Sequence, residues 1–301
     1  MEKNRRRFGL KMLVMPTIIL LLVSFYPLFN SIYLSVTNTN ILKKGQTVRF
    51  TGAANFIKLF SDRTMGPSLA YSLEYAFICV AASYVLGLFL AVLLNQKIKG
   101  RALFRGLILI PWAIPTVVAT ANWLWILNDQ SGIVNVILQR LHLTDGPILF
   151  FADQRMARIT CIVVGTWKSY PFMCMSLLAG LQGVPEDVYE SARMDGATGI
   201  KTFFYITLPM IRNVSMVVVT LMFIWGFNNF DIIYLLTQGG PLEATFTLPI
   251  YTYNTAFYRG QMGYASAISM MTLVILLFFC AVYMKMQKSR CSHRCGRSCR
   301  R

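Results

Sequence analysis

Long apolar runs separated by short polar connections dominate this chain, and the runs set its architecture. Six are long enough to cross a membrane, near Leu10–Tyr33, Ala70–Leu94, Leu103–Leu127, Ile159–Leu181, Val214–Leu236 and Tyr264–Met284. A helix rising about 1.5 Å per residue needs roughly twenty residues to span about 30 Å of hydrocarbon. The first run is too long to be a cleaved signal peptide and lacks a small-residue cleavage site. Between the fourth and fifth runs the pattern changes. Pro185–Pro209, PEDVYESARMDGATGIKTFFYITLP, is amphipathic rather than apolar. Pro185 followed by Glu186 and Asp187 marks a helix start, because proline fits a first turn and acids complement the helix dipole. Gly196 stands where a short helix ends and Pro209 where the next one stops. The pattern predicts a helix, a glycine turn and a second helix.

Composition agrees. The chain has 301 residues, 55% of them hydrophobic and only 14% charged, with a mean hydropathy of +0.53. That is too apolar for a soluble domain and defines a polytopic, all-α membrane protein of six transmembrane helices. The organisation expected is a cytoplasmic N-terminus over 1–9, a membrane domain over 10–284 and a basic cytoplasmic tail over 285–301.

The net charge of +17 does not point to nucleic acid, because the cations sit at the ends of apolar runs. Lys3, Arg5, Arg6, Arg7 and Lys11 mark the head. Lys97, Lys99, Arg101 and Arg105 mark the second connection, and Arg193, Lys201 and Arg212 the fourth. Lys285, Lys288, Arg290, Arg294, Arg297, Arg300 and Arg301 mark the tail. Positive-inside counting therefore puts both termini and the Pro185–Pro209 connection in the cytoplasm. Lys43, Lys44, Arg49, Lys58 and Arg63 weaken the contrast in the first outer loop.

Ionisable groups inside an apolar run are functional candidates by default. Lys168 lies mid-run in Gly165-Thr166-Trp167-Lys168-Ser169-Tyr170-Pro171-Phe172, where Pro171 is expected to weaken the helix and free carbonyls for a cavity. Aromatic faces and hydroxyls beside a broken helix suit a sugar. The alternative is a structural lysine, paired with Glu74 or Asp231 or snorkelling. In the fifth run, Asn228, Asn229 and Asp231 are costly in hydrocarbon without partners, so one face is expected to line a polar path.

Cys79, Cys161, Cys174 and Cys280 lie in apolar runs as small hydrophobes. Cys291, Cys295 and Cys299, with His293, have a spacing that fits no zinc pattern, so no metal site is expected and the tail reads as reduced and cytoplasmic. No Gly-x-x-x-x-Gly-Lys-Ser/Thr phosphate loop is present, and no catalytic constellation.

The order Glu190-Ser191-Ala192, Asp195-Gly196-Ala197, Ile206-Thr207-Leu208-Pro209 resembles the "EAA" loop of the integral-membrane subunits of ATP-binding-cassette (ABC) importers, with Ser191 replacing the usual first alanine. Leu109-Ile110-Pro111-Trp112-Ala113-Ile114-Pro115, Phe230-Asp231 and Leu236-Thr237-Gln238-Gly239-Gly240-Pro241 narrow the resemblance to the maltose-type first permease of carbohydrate uptake systems, in its six-span form. The resemblance implies a type I importer permease with ATPase-coupling residues Glu190, Ser191, Ala192, Asp195, Gly196, Ala197, Leu208 and Pro209. It implies substrate-path residues Gly165, Lys168, Ser169, Phe172, Met222, Trp225, Gly226 and Asn229, several of which differ in type from those of the maltose-type subunit. The implied partners are a second permease forming a heterodimer, two ATPase subunits, an extracytoplasmic solute-binding protein, membrane lipid and a small-molecule sugar. ATP and Mg would sit on the ATPase, leaving this chain without a cofactor or covalent chemistry, in a bacterial inner (plasma) membrane. A phosphorylated, anionic polyol stays open as the substrate because of Lys168. An ion-coupled secondary transporter using Glu74 and Asp231 is the rival from another class.

Overall fold

A computed structural model describes residues 2–43, 45, 47–96 and 99–298, with side chains described over 12–285 of that range. The expectations for Cys291, His293, Cys295 and Cys299 therefore lie outside the described side chains. The order is α1 Glu2–Ser35, α2 Ala54–Ser61, α3 Met65–Asn95, α4 Arg101–Ala113, α5 Thr116–Ile126, α6 Ile133–Arg140 and α7 Gln154–Gln182. It continues with α8 Glu186–Met194, α9 Gly199–Thr202, α10 Leu208–Met210, α11 Arg212–Phe227, α12 Asp231–Thr237, α13 Leu248–Tyr253 and α14 Met262–Ser298. Among the described residues there is no strand, only an isolated antiparallel bridge between Thr37 and Phe50.

Among the described residues, five stretches are long and apolar enough to cross a membrane: Met12–Ser35, Met65–Asn95, Gln154–Gln182, Arg212–Thr237 and Met262–Lys285. The third expected span is different. Leu103–Leu127 is not one helix but two, α4 and α5, which meet at 89°. One proline explains the break. Ile114 precedes Pro115 and is pushed to extended geometry (φ −65°, ψ 132°), and Pro115 has no N–H to continue the ladder. Conversely, α7 runs unbroken through Pro171, so the helix break expected there lies instead at Pro115. The fifth span is interrupted at Asn228–Phe230, between α11 and α12.

The chain forms two compact units, Met1–Met65 with Tyr251–Arg301, and Gly66–Ile250. In the first, α14 packs against α1 and α2. In the second, α7 is central and packs against α4, α11 and α12. Its core includes Tyr71, Tyr75, Met173, Leu177, Leu178 and Phe227. Glu74 of α3 pairs with Arg158 of α7 at 2.7 Å, and that guanidinium lies 4.5 Å from the Tyr71 ring centre.

Candidate functional site

Cavity residues come from the helix breaks. At the end of α4 the carbonyls of Pro111, Trp112 and Ile114 have no helical amide to accept from, and Lys168 supplies the donor. Its Nζ donates to Pro111 O at 3.0 Å, to Trp112 O at 3.3 Å and to Ile114 O. A half-buried lysine thus acts as a C-terminal cap across two helices, satisfying groups that hydrocarbon would leave costly.

Beside this clamp opens a cavity of about 430 Å³. The α4–α5 break contributes Trp112, Ala113, Ile114, Pro115 and Thr116, α7 gives Lys168, Ser169 and Phe172, and α11 gives Met222 and Trp225. Asn229, Asp231 and Ile232 close it at the α11–α12 interruption. Phe172 stands between two indoles, 6.3 Å from Trp112 and 5.2 Å from Trp225 between ring centres. The indoles are half exposed, 52% and 51%, and so keep faces open to the cavity. Asn229 Oδ1 accepts from Ile232 N at 3.2 Å, opening α12 as a side-chain cap.

Six of the eight sequence-predicted path residues, Lys168, Ser169, Phe172, Met222, Trp225 and Asn229, line this one cavity. Gly165 and Gly226 do not. A Cβ at Gly165 would lie 2.2 Å from the buried Tyr75 hydroxyl, and one at Gly226 would lie 3.4 Å from Ala76 Cα. Both are close-approach positions against α3. Sequence reasoning did not assign Trp112–Thr116 to the path. The signal was there: prolines at 111 and 115 in an apolar run.

The amphipathic stretch also has a definite geometry. α8 follows Pro185 and carries Glu186 and Asp187 in its first turn. It ends in a Schellman motif: Gly196, at φ +73°, donates to Arg193 O at 3.0 Å, and Ala197 N to Ala192 O at 2.9 Å. Asp195 is the C-cap residue. Ala192 is buried, while Glu190 and Ser191 are exposed. The second helix begins as α9 and widens to a π-helix over Phe203–Thr207, with Leu208 N bonded to Phe203 O. Pro209 lacks the next N–H, and its ring crowds the carbonyl four residues back, which favours the wider turn. Leu208 and Pro209 lie inside α10, and the helix stops at Ile211 rather than at Pro209. Met194, Ile200 and Tyr205 stand out on this stretch at 89%, 76% and 80% exposure.

Broken helices around an aromatic cavity, joined by an exposed amphipathic hairpin, define an integral-membrane transport subunit. The comparisons then fix the family. Residues 83–288 match the binding-protein-dependent transport system inner membrane component, and the chain belongs to that family. It is a multi-pass permease of ABC importers in the inner membrane, a transport component and not an enzyme. It is 37% identical over 242 residues to the trehalose/maltose transport system permease protein MalF of Thermococcus litoralis, covering 80% of this chain and 81% of that one. It is 30% identical to the sulfoquinovosyl glycerol transport system permease protein SmoG of Agrobacterium fabrum, covering 96% and 93%. Its fold is similar, at a TM-score of 0.80 and 21% identity, to a chain of a bacterial alginate ABC transporter solved with an alginate pentasaccharide-bound periplasmic protein, covering 96% of both chains.

Proposed function

We propose that the cavity on α7 and α11 is part of the import path for a sugar or oligosaccharide. The observation that carries this is the Trp112–Phe172–Trp225 wall beside Ser169, Asn229 and Asp231. Aromatic faces stack on the apolar side of a sugar ring, and the hydroxyl, amide and carboxylate take its OH groups. Lys168 is engaged by three carbonyls, and Asp231 contributes a negative charge. This balance favours a hydroxylated ligand over an anionic phosphorylated polyol. The relatives named for carbohydrate substrates support the same class.

In this reading a second permease completes the path and a solute-binding protein delivers the sugar. ATPase subunits, holding ATP and Mg, dock on Pro185–Pro209. Glu190 and Ser191 are exposed for that contact, and Ala192, Asp195, Gly196 and Ala197 shape the cap that presents them. Leu208 and Pro209 anchor the far end. The N- and C-termini lie on the cytoplasmic side with the loop. Secondary transport coupled through Glu74 is disfavoured by its ion pair with Arg158.

The test is ATP-driven uptake in vesicles carrying the whole transporter, over a panel of labelled sugars. Trp225→Ala loses a stacking surface worth about 0.5–1.5 kcal/mol beyond its buried area, so the half-saturating sugar concentration rises about tenfold while ATPase docking persists. Unchanged sugar dependence in Trp225→Ala sinks the assignment of this cavity.

A further inference from the structure

The first unit contains a polar cavity that the central path does not use. It measures about 290 Å³ and is lined by Thr37, Thr39, Asn40, Lys43, Asn55, Lys58, Gln261 and Tyr264, together with Asn38. It lies at the end of α1, on α2 and at the start of α14, in the part of the chain whose cations blurred the positive-inside pattern.

The walls are fixed by backbone. Ile41 N donates to Gly260 O at 2.9 Å and Gly263 N to Thr39 O at 3.0 Å. A Cβ on Gly263 would fall 2.1 Å from Thr37 O, so only glycine allows this approach. Asn38 N donates to Arg49 O at 3.1 Å and Thr51 N to Val36 O at 2.7 Å, closing the loop on itself. Asp62 accepts from the hydroxyls of Tyr251 and Tyr264 and from Thr64 N, tying the end of α2 to Tyr251 and α14. Burial pushes the Asp62 carboxyl up, but those donors and the nearby Lys58 outweigh it and hold it below the usual carboxylate range. Asp62, the acid of this cluster among the described residues, is therefore already engaged.

What remains for a ligand follows from which end of each amide is used. Asn40 Oδ1 accepts from Leu42 N at 2.9 Å, which leaves Nδ2 as the available end. Gln261 Oε1 accepts from Lys58 Nζ at 3.3 Å, which leaves Nε2. Lys58 Nζ lies 4.2 Å from the Tyr264 ring centre, held in place with donors to spare. Lys43 adds an exposed ammonium at the rim. On the other side Asn55 Nδ2 donates to Ser35 O and Thr37 O, both at 2.8 Å, leaving its Oδ1 as an acceptor in the cavity that the Thr39 hydroxyl also lines. Among the described residues, the inventory is two ammoniums and two amide NH2 groups against few acceptors, with no carboxylate lining. Donor-rich, cationic sites of this kind select oxyanions, and the two acceptors suit neighbouring hydroxyls.

We propose that this cavity is a second ligand site, separate from the central path, for an oxyanion carried on a hydroxylated carbon skeleton. Two sources share that chemistry: an acidic sugar, and the phosphoglycerol headgroup of an anionic lipid. The site stands on the geometry of the first unit alone and survives if the central cavity proves to carry something else.

Direct binding to the full chain in phosphatidylcholine nanodiscs tests it, with labelled glucuronate, glycerol 3-phosphate and glucose as probes. Glucuronate or glycerol 3-phosphate should bind at least about tenfold more tightly than glucose, the difference one charge-assisted hydrogen bond makes. Asn40→Asp keeps the acceptor for Leu42 N but replaces the NH2 with a carboxylate oxygen. Together with Lys43→Gln, it should weaken oxyanion binding at least tenfold, while Trp225→Ala leaves it unchanged. Loss of glucuronate binding in phosphatidylglycerol nanodiscs identifies the lipid headgroup as occupant; persistence there identifies the soluble acid. The proposal is overturned if no probe binds, if glucose binds as well as the anions, or if oxyanion binding ignores Asn40→Asp and Lys43→Gln. Loss in Trp225→Ala alone overturns it too, by moving the site to the central path.

Discussion

Replacing Lys168 by methionine separates its two possible uses, holding the helix break and touching the transported molecule. Methionine keeps the apolar stem and removes the ammonium. The bond to Trp112 O is solvent-exposed, so water takes it over, whereas those to Pro111 O and Ile114 O are half-buried. A hydrogen bond from a charged donor contributes about 1.5–3 kcal/mol net. Two such bonds, taken at the low end because the cavity admits water, set the loss at about 3 kcal/mol. Lys168→Arg keeps the charge, but its planar fork does not follow carbonyls spread over Pro111–Ile114, so an intermediate loss of about 1 kcal/mol is expected. The assay is reversible unfolding in mixed micelles together with hydrogen exchange at Ala119. The Ala119 amide bonds to Pro115 O at 3.0 Å and reports the first turn of α5. Lys168→Met should lower stability and speed exchange there. Unchanged stability and exchange, with apparent sugar affinity down tenfold, would refute the clamp and assign the ammonium to the ligand.

Other perturbations probe separate links. Glu190→Lys inverts an exposed charge without touching the cap, so the protein should reach the membrane normally but copurify with less ATPase and lose uptake; normal uptake ends the docking role. Gly196→Ala forces a side chain into the left-handed region at about 1–2 kcal/mol, which should reduce coupling without changing sugar binding, read as ATP hydrolysed per sugar moved. Gly165→Leu drives a side chain into the Tyr75 hydroxyl and should collapse expression, an outcome a lining position would not produce. Asp62 has a carboxyl held below its ordinary value, so its stabilisation is present above about pH 4 and disappears as pH falls through the lowered value. Asp62→Asn should flatten the acid limb of the unfolding profile, while Tyr251, whose hydroxyl burial and the Asp62 bond push up to about 12, stays a donor throughout.

The apolar runs and the amphipathic stretch were legible because each rests on local chemistry. Span length follows from hydrocarbon thickness, and the α8 cap follows from Gly196, with Ala197 after it and Ala192 in the last turn of the helix. The 89° break was harder to read. Pro111, Pro115 and Pro171 all interrupt an apolar run in sequence, yet α7 absorbs Pro171 and only Pro115 separates two helices. The difference lies in the third dimension: Lys168, more than fifty residues away, supplies the donor that lets the α4 carbonyls end inside the protein. Gly165 and Gly226 lie outside the cavity for a related reason. A small residue on a polar-looking face reads the same in sequence whether it opens a path or admits a neighbouring helix, and only Tyr75 and Ala76 decide.

The proposed coupling has a mechanical basis in chain order. Pro185–Pro209 joins α7 to α11, and these same helices present Lys168, Ser169, Phe172, Met222 and Trp225 to the cavity. From Phe172 to Gln182 the helix is unbroken, about 15 Å at 1.5 Å per residue. A tilt imposed on α8 passes the short turn at Gly183–Pro185 and then reaches the cavity along a rigid rod. The other route is not equivalent. It passes the π-helix at Phe203–Thr207 and the stop at Ile211 before α11 begins, two places where the ladder is already loosened. A displacement of the hairpin would rotate α7 as a body while α11 yields at its base, changing the spacing between Phe172 and Trp225. On the proposed reading, the aromatic wall would be the part that opens and closes, with Lys168 carrying the α4 end along.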